Sequence, residues 1–437
     1  MLRTKFAVAF AVVLGSFVFT ATAMAVPPGP RDTAVILFNF ANDRSTPITG
    51  NNLRAWMHGD ADSVNNWLRE DSGNTVSLRG IINTASVDVF GTYQLTANKP
   101  TTTCATIDQF RGWADSAIAA AAAIGVSFTN YEQLMFVSPI TDGGACQNGF
   151  ADTVDTRRVY FSDTMDAYHF KRVVSHELSH ALPPGSGHAR ALECATNGIA
   201  IPTAALSTCT IREYGDRIAT VGDPTGLTLN NNWFRARQGY YPAANITTAL
   251  RTATSTTVLR ASTPILASGG GTQVLRIDRG ASVEAEQRWL YLEDRRAVGA
   301  FDSSFANTQP SPAGGVGVRT APAHNTAAAY PASNQLDVNP WTSSGILDAY
   351  LGVNDRYYDT LGNFTVTVTA RTTNSSTIQV SPGLSGSQGT VSVSGGVMRF
   401  VAASGKRNRV VLTRDAGGPY TLTSPYPLDG TPTAGSG

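Results

Sequence analysis

Up to about residue 249, apolar β-rich runs alternate with segments of helical period. "TAVILFNF" (33–40) reads as the first strand, and short helical patterns follow at 53–57 and 64–68. "TVSLRGII" and "SVDVFGTYQLT" alternate apolar and polar residues and read as two strands paired with each other. Residues 106–124 are helical by their alanine density, and Gly125 closes that helix. "EQLMFVSPI" (132–140) is another strand, and "RRVYFSD" (157–163) a short one at the sheet edge. A further helix starts near Ser162, Asp163 or Thr164, any of which can cap it, and runs through "MDAYHFKRVVSHELSHAL" to Pro183-Pro184. At about 100° per residue, Phe170, Val174, Leu178 and Ala181 form one stripe of it, and His169, Val173, His176 and His180 another. One face packs; the other presents imidazoles.

After residue 250 helical period gives way to successive alternating segments such as "TQVLRIDR", "RWLYLEDRR", "NFTVTVTART" and "STIQVS", separated by Gly, Pro, Ser and Asn. The expected fold class is therefore α+β: strands and helices over 26–249, followed by an all-β, sandwich-like region over 250–382. A Gly/Ser-rich break, "SPGLSGSQG", leads into a small β unit and flexible tail at 383–437.

The first 25 residues have the layout of a secretory signal: Arg3 and Lys5, an apolar run over 6–19, and Ala23-Met24-Ala25 as a cleavage site. That run is short for a bilayer span, and no later stretch is longer and as apolar, so a secreted protein without a transmembrane segment is expected. The first strand follows within a few residues of the cleavage site, which leaves no room for an N-terminal propeptide. The secreted form is expected to be active at once or trimmed at its C-terminal modules. Removing Arg3 and Lys5 from the 33 Lys and Arg leaves 31 against 32 acidic residues, a near-neutral balance that argues against nucleic acid as a partner. Cys104, Cys146, Cys194 and Cys209 form an even set in an exported chain, which points to two disulfides in one of three pairings.

The candidate chemistry lies in "HELSHALPPGSGHARALEC" (176–194). His176 and His180 stand one helical turn apart, so both rings can reach one ion at about 2.0 Å. Glu177, between them, can take a proton from water activated by that ion. Two histidines and a glutamate also occur by chance on packed helices. Against chance, four of the six histidines fall between 169 and 188, and the helix has a separate packing stripe. His188 offers a third ligand after the glycine turn; Glu193 and Asp216 are the alternatives. His169, two turns before His176, reads as a solvent-facing or pocket-lining residue, since a catalytic zinc keeps one position open.

The pattern is similar to that of the gametolysin-type metzincin peptidases, with a further likeness in the β region to the bacterial immune-inhibitor-A group. The zinc helix carries most of the likeness. "IREYGDRIATVGD" (211–223) resembles the family's segment leading into the Met-turn, and "NNWFRARQGYYP" (231–242) the helix after it. The likeness spans about residues 33–380. In the family the order is His-x-x-Gly-x-x-His; here Gly185-Ser186-Gly187-His188 is kept, and Pro183-Pro184 lengthens the half before it by two residues.

The resemblance implies a metzincin-like catalytic domain, a twisted mixed sheet plus an active-site helix, and a zinc endopeptidase, a protease of peptides or proteins at extracellular or cell surfaces. His176, His180 and His188 would hold Zn2+ and Glu177 would be the general base. Val221 would stand where the family has the methionine beneath the metal. It also fits disulfides Cys194–Cys209 and Cys104–Cys146, and it allows a structural Ca2+, although turns such as "GDADS" give no ligand set. Two further readings stand beside the peptidase. One is an inactive metzincin-like protein that acts as a surface-binding or adhesive protein through its β domains. The other is a hydrolase of a non-peptide bond. The β region itself would position the enzyme on its target or act as a structural lid.

Overall fold

The computed structural model describes residues 25–423 except 47, 101–104, 141–147, 163–164, 197–198, 202, 224–225, 308–310, 341, 343, 384–388, 395–396, 403–410 and 415–419. Its first sheet contains β1 (Gly29–Asn39), β2 (Val76–Arg79), β3 (Asp88–Gln94), β4 (Gln133–Ser138), β5 (Gly149–Ala151) and β6 (Arg158–Ser162). β4 lies parallel to β1 on one side and to β6 on the other, and β5 closes the sheet as an antiparallel edge. "RRVYFSD" is thus an interior strand, because β5, too short to be read from the sequence, takes the edge. β2 and β3 do not pair with each other: both run parallel to β1, beside its first and second halves. Alternation identifies a strand, but it does not name the strand's neighbour.

Successive β1 residues enter opposite cores, as a pleated strand requires. Val35 and Leu37 join a cluster with Trp67, Leu68, Phe170, Val174 and Leu178, from helices α2 (Val64–Asp71) and α4 (Ala167–Ala181). Ala34, Ile36 and Phe38 meet Phe110, Trp113 and Ala117 of the intervening helix α3 (Ile107–Ala122). Burial of both faces explains the unbroken apolar run of β1. A capping box between Thr106 and Gln109 starts α3, and Gly125, with φ +83°, follows its end.

A nine-stranded mixed sheet follows, in the order β10 (Ile246–Ala249), β12 (Val274–Asp278), β13 (Trp289–Asp294), β14 (Val316–Ala321), β15 (Ser333–Leu336), β7 (Ala189–Thr196) and β8 (Ile199–Ile201). β9 (Cys209–Arg212) pairs with β7, and β16 (Tyr350–Leu351) with β14. The sheet therefore draws strands from both sides of residue 249, where helical period fades in the sequence. One face packs on a four-stranded sheet of β11 (Ser255–Arg260), β19 (Ser375–Pro382), β18 (Phe364–Arg371) and β17 (Arg356–Asp359). Leu275, Leu290 and Val318 meet Leu259, Val366 and Ile378 there, which makes a two-sheet sandwich. The opposite face carries Trp233 and Phe234 of the short helix α5 (Asn232–Arg237), packed with Val274 and Tyr291. Two hairpins end the described chain: β20 (Gly389–Ser394) with β21 (Val397–Ala402), and β22 (Val411–Arg414) with β23 (Tyr420–Thr423).

Among the described residues no helix is long and apolar enough to cross a membrane. Cys194 and Cys209 are disulfide-bonded directly across β7 and β9. Cys104 and Cys146 lie outside the described residues.

Candidate metal centre

α4 carries two of the three histidines, and it begins later than its sequence suggests. Ser162 ends β6, and the cap is Asp166, whose side chain accepts from the His169 backbone N–H at 2.9 Å. The other Asp166 oxygen lies 2.8 Å from His169 Nδ1. His169 is thereby tied to the helix start, with its side chain 59% exposed, and it stands apart from the other three histidines. Phe170, Val174, Leu178 and Ala181 are all buried against the first sheet, so the opposite stripe faces a cleft.

The two extra residues before Gly185 are absorbed outside the helix. α4 ends at Ala181, Leu182 is already extended, and the chain turns through Pro183-Pro184. The Gly185 N–H closes this turn on the Leu182 carbonyl at 2.9 Å. Gly185 has φ +75°, a conformation open to glycine and costly for most other residues. Arg237 Nε then holds the Gly185 carbonyl at 2.7 Å, and the Gly187 N–H donates to the Pro331 carbonyl at 2.9 Å. His188 follows, one residue before β7 begins.

This path brings His176, His180 and His188 together, with one ring nitrogen of each within 4.8 Å of the others. The His176 Nδ1 bonds to the Thr220 carbonyl at 2.9 Å, and the His180 Nδ1 to the Ser186 carbonyl at 2.7 Å. A carbonyl only accepts, so each Nδ1 carries the proton and each Nε2 keeps its lone pair. The His188 Nδ1 bonds to Glu213 Oε1 at 2.6 Å, which leaves its Nε2 free as well. His176 Nε2 and His180 Nε2 are 3.1 Å apart. Two ligands of a tetrahedral ion with bonds of about 2.0–2.1 Å stand about 3.3 Å apart, so the spacing fits a shared cation. Burial pushes His176 down to about 4, His180 well below its ordinary range, and His188 down in spite of its bond to Glu213. The rings are neutral at pH 7, the form that binds metal.

Glu177 is 9% exposed and lies against β5. A Cβ on Gly149 would come within 2.9 Å of its Cγ and 2.5 Å of Val173 Cγ1, so glycine is what lets α4 approach the sheet edge this closely. Burial raises the carboxyl to about 8, opposed by a hydrogen bond from the Ala151 backbone. Around these groups opens a cleft of about 1280 Å³, walled by residues 148–151 on the first-sheet side and by Tyr330 and residues 344–347 on the other.

The remaining candidates take different places. Glu193 lines the cleft, but its side chain is 38% exposed and paired with Arg212 at 3.2 Å. Asp216 is fully buried and anchors its own loop, accepting from the Ile218 N–H at 3.0 Å and from Asn231 Nδ2 at 3.0 Å, with Arg319 at 3.3 Å. Neither joins the histidine cluster. Val221 is buried with Ala219, Trp233, Phe234 and Tyr291; the atom of its loop that touches the site is the neighbouring Thr220 carbonyl. The two acidic residues of "GDADS", Asp60 and Asp62, both pair with Lys171 Nζ, at 2.7 and 2.5 Å.

Sequence reasoning gives no role to Glu213 or Tyr214. The Tyr214 ring lies 4.0 Å from the His188 ring and 5.8 Å from that of His176. The string "EYGD" contains both residues, but only the return of β9 beside β7 shows what they touch. The arrangement is thus three imidazoles that could hold a metal ion, with a buried carboxyl beside them in an open cleft. No protein-family model matches the chain, and no curated protein matches it.

Proposed function

We propose that this chain is a secreted zinc-dependent endopeptidase of the metzincin kind. The observation that carries the reading is the convergence of three neutral imidazoles, each with Nδ1 bonded away from the site, beside the buried carboxyl of Glu177. Three nitrogen ligands with a fourth position open to a cleft is the arrangement of catalytic zinc, whereas structural zinc is closed by four protein ligands. When bound, zinc supplies a Lewis acid that polarises a carbonyl and lowers the pKa of water. His176, His180 and His188 would hold it through the Nε2 atoms that their Nδ1 bonds leave free.

Glu177 moves the protons. Burial pushes its carboxyl up to about 8, and a dication held by the three histidines would favour the charged form and make it a base at neutral pH. It accepts a proton from the attacking water and passes it to the leaving amine. Val173 and Gly149 pack beside it and restrict its rotamers. The cleft exceeds the volume usual for small-molecule sites, which supports a polymer such as a polypeptide as substrate. Export is supported by the signal-like start of the sequence and by the Cys194–Cys209 bridge, since such bonds persist in oxidising compartments.

Glu177→Gln tests the mechanism. The variant is expected to keep one zinc per chain while kcat/KM on a denatured protein falls by about 10²–10⁴. Undiminished cleavage would remove Glu177 from the mechanism. Stoichiometric zinc in a wild-type chain that cleaves no denatured protein would favour a binding role.

A further inference from the structure

We infer that Glu213 and Tyr214 are positioning residues of the metal site, which together fix the ring of His188, the one ligand that α4 does not carry. The inference rests on the three histidines being a metal site, and it concerns why the third of them is in place. α4 fixes the backbone of His176 and His180, and backbone carbonyls orient their rings. His188 instead follows a Pro/Gly turn, with its side chain 26% exposed and both side-chain torsions otherwise free.

Two contacts remove that freedom. Glu213 Oε1 accepts from His188 Nδ1 at 2.6 Å, which sets the ring's tautomer and its rotation. The Tyr214 ring lies on the imidazole at a centroid distance of 4.0 Å and an interplanar angle of 42°, and so limits the ring's rotation. Glu213 is itself held: Arg190 Nε lies 2.8 Å from its other oxygen, and Arg190 is two residues beyond His188, on the same side of an extended chain. Of the three clustered rings, those of His176 and His180 meet carbonyls and that of His188 meets a carboxylate. A carboxylate makes an imidazole a stronger donor than a carbonyl does, so the most exposed ligand gains the partner that raises its affinity most.

The backbone is shaped to deliver both residues. Tyr214 has φ +59°, a region that residues with a side chain seldom adopt and that is retained where surroundings impose it. Beside it, a Cβ on Gly215 would come within 2.6 Å of Ala191 Cβ and 2.8 Å of Ala191 N, so the chain crosses β7 at a distance only glycine permits. The Asp216 N–H then bonds to the Ala189 carbonyl at 3.1 Å. The crossing places 213 and 214 against the residue before β7.

The test is zinc affinity of the full chain by chelator competition, with the visible spectrum of the cobalt-substituted protein as a readout of ligand geometry. Glu213→Ala is expected to weaken zinc binding by about 10–100-fold, and Glu213→Gln, which can still accept from Nδ1, by less. Tyr214→Ala is expected to weaken binding and alter the cobalt spectrum, whereas Tyr214→Phe keeps the ring and the wild-type affinity. Affinities of Glu213→Ala and Tyr214→Ala within about threefold of wild type, with unchanged cobalt spectra, would overturn the inference. If the alanine variants fail to fold, Glu213→Gln and Tyr214→Phe decide it: equal, wild-type affinities overturn it, and a loss confined to Glu213→Gln supports it. A wild-type chain that takes up no zinc would sink the metal-site reading itself, and this inference with it.

Discussion

Each histidine of the site commits its Nδ1 to an oxygen, and the Nε2 atoms of His176 and His180 face each other at 3.1 Å with a lone pair on each. Such a contact is repulsive until a cation or a proton lies between the nitrogens, and burial disfavours the proton. The sign follows from the depressed values: the His176 contribution to stability is present above the ordinary value near 6.5 and is lost as pH falls through about 4. Protons should therefore compete for His176 only well below pH 6. Dialysis against buffers from pH 7 to pH 4, with metal content measured at each step, is expected to show the ion retained at pH 6; complete loss by pH 6 would contradict it. At this scale much was legible, because a helix maps spacing onto geometry: His176, Glu177 and His180 follow from four consecutive intervals. Glu213, 25 residues from His188, becomes its partner only through strand pairing, which no local pattern encodes.

The loop over 216–223 shows how one short element orients a ligand from below. Its ends are joined by the Asp223 N–H to Asp216 carbonyl bond at 3.1 Å, and the Ala189 N–H donates to the Val221 carbonyl at 3.0 Å. Thr220 is left with its carbonyl toward His176. Gly222 permits this closure, since a Cβ there would lie 2.1 Å from the Asp216 carbonyl oxygen. Gly222→Ala is expected to cost about 1–3 kcal/mol in urea unfolding, because backbone must move to admit the methyl, and to lower metal affinity through His176. A variant as stable as wild type would show that the loop has slack. Element types were largely readable: β1, α3, β4 and α4 follow from runs and periods. Boundaries and neighbours were less so. Ser162, Asp163, Thr164 and Asp166 are all residue types that can cap a helix, and the cap observed is Asp166, whose side chain accepts from the His169 N–H.

At the scale of the whole molecule, sequence rhythm and three-dimensional grouping divide the chain differently. Helical period ends near 249, yet β7, formed from residues just after His188, is hydrogen-bonded to β15 from Ser333 to Leu336. Buried ion pairs reinforce the join: Arg319 links Glu293 at 2.6 Å with Asp216 at 3.3 Å, and Arg295 holds Asp302 at 2.6 Å and the Leu229 carbonyl at 2.7 Å. The place of a strand such as β7 in a sheet assembled mostly from later residues cannot be recognised from its own eight residues.

His188 stands at the join between α4, which packs on the first sheet, and β7, which belongs to the second. An ion held by all three rings would therefore be one more link between two sheets that already share buried side chains such as Leu229 and Phe301, and its binding energy would resist their parting as well as its own release. Calorimetry is expected to show one cooperative transition with zinc bound. With a chelator present the transition should broaden or split, as the two sheets lose one of their fastenings. Superimposable transitions in the two conditions would mean that the sheets hold each other without the metal's help.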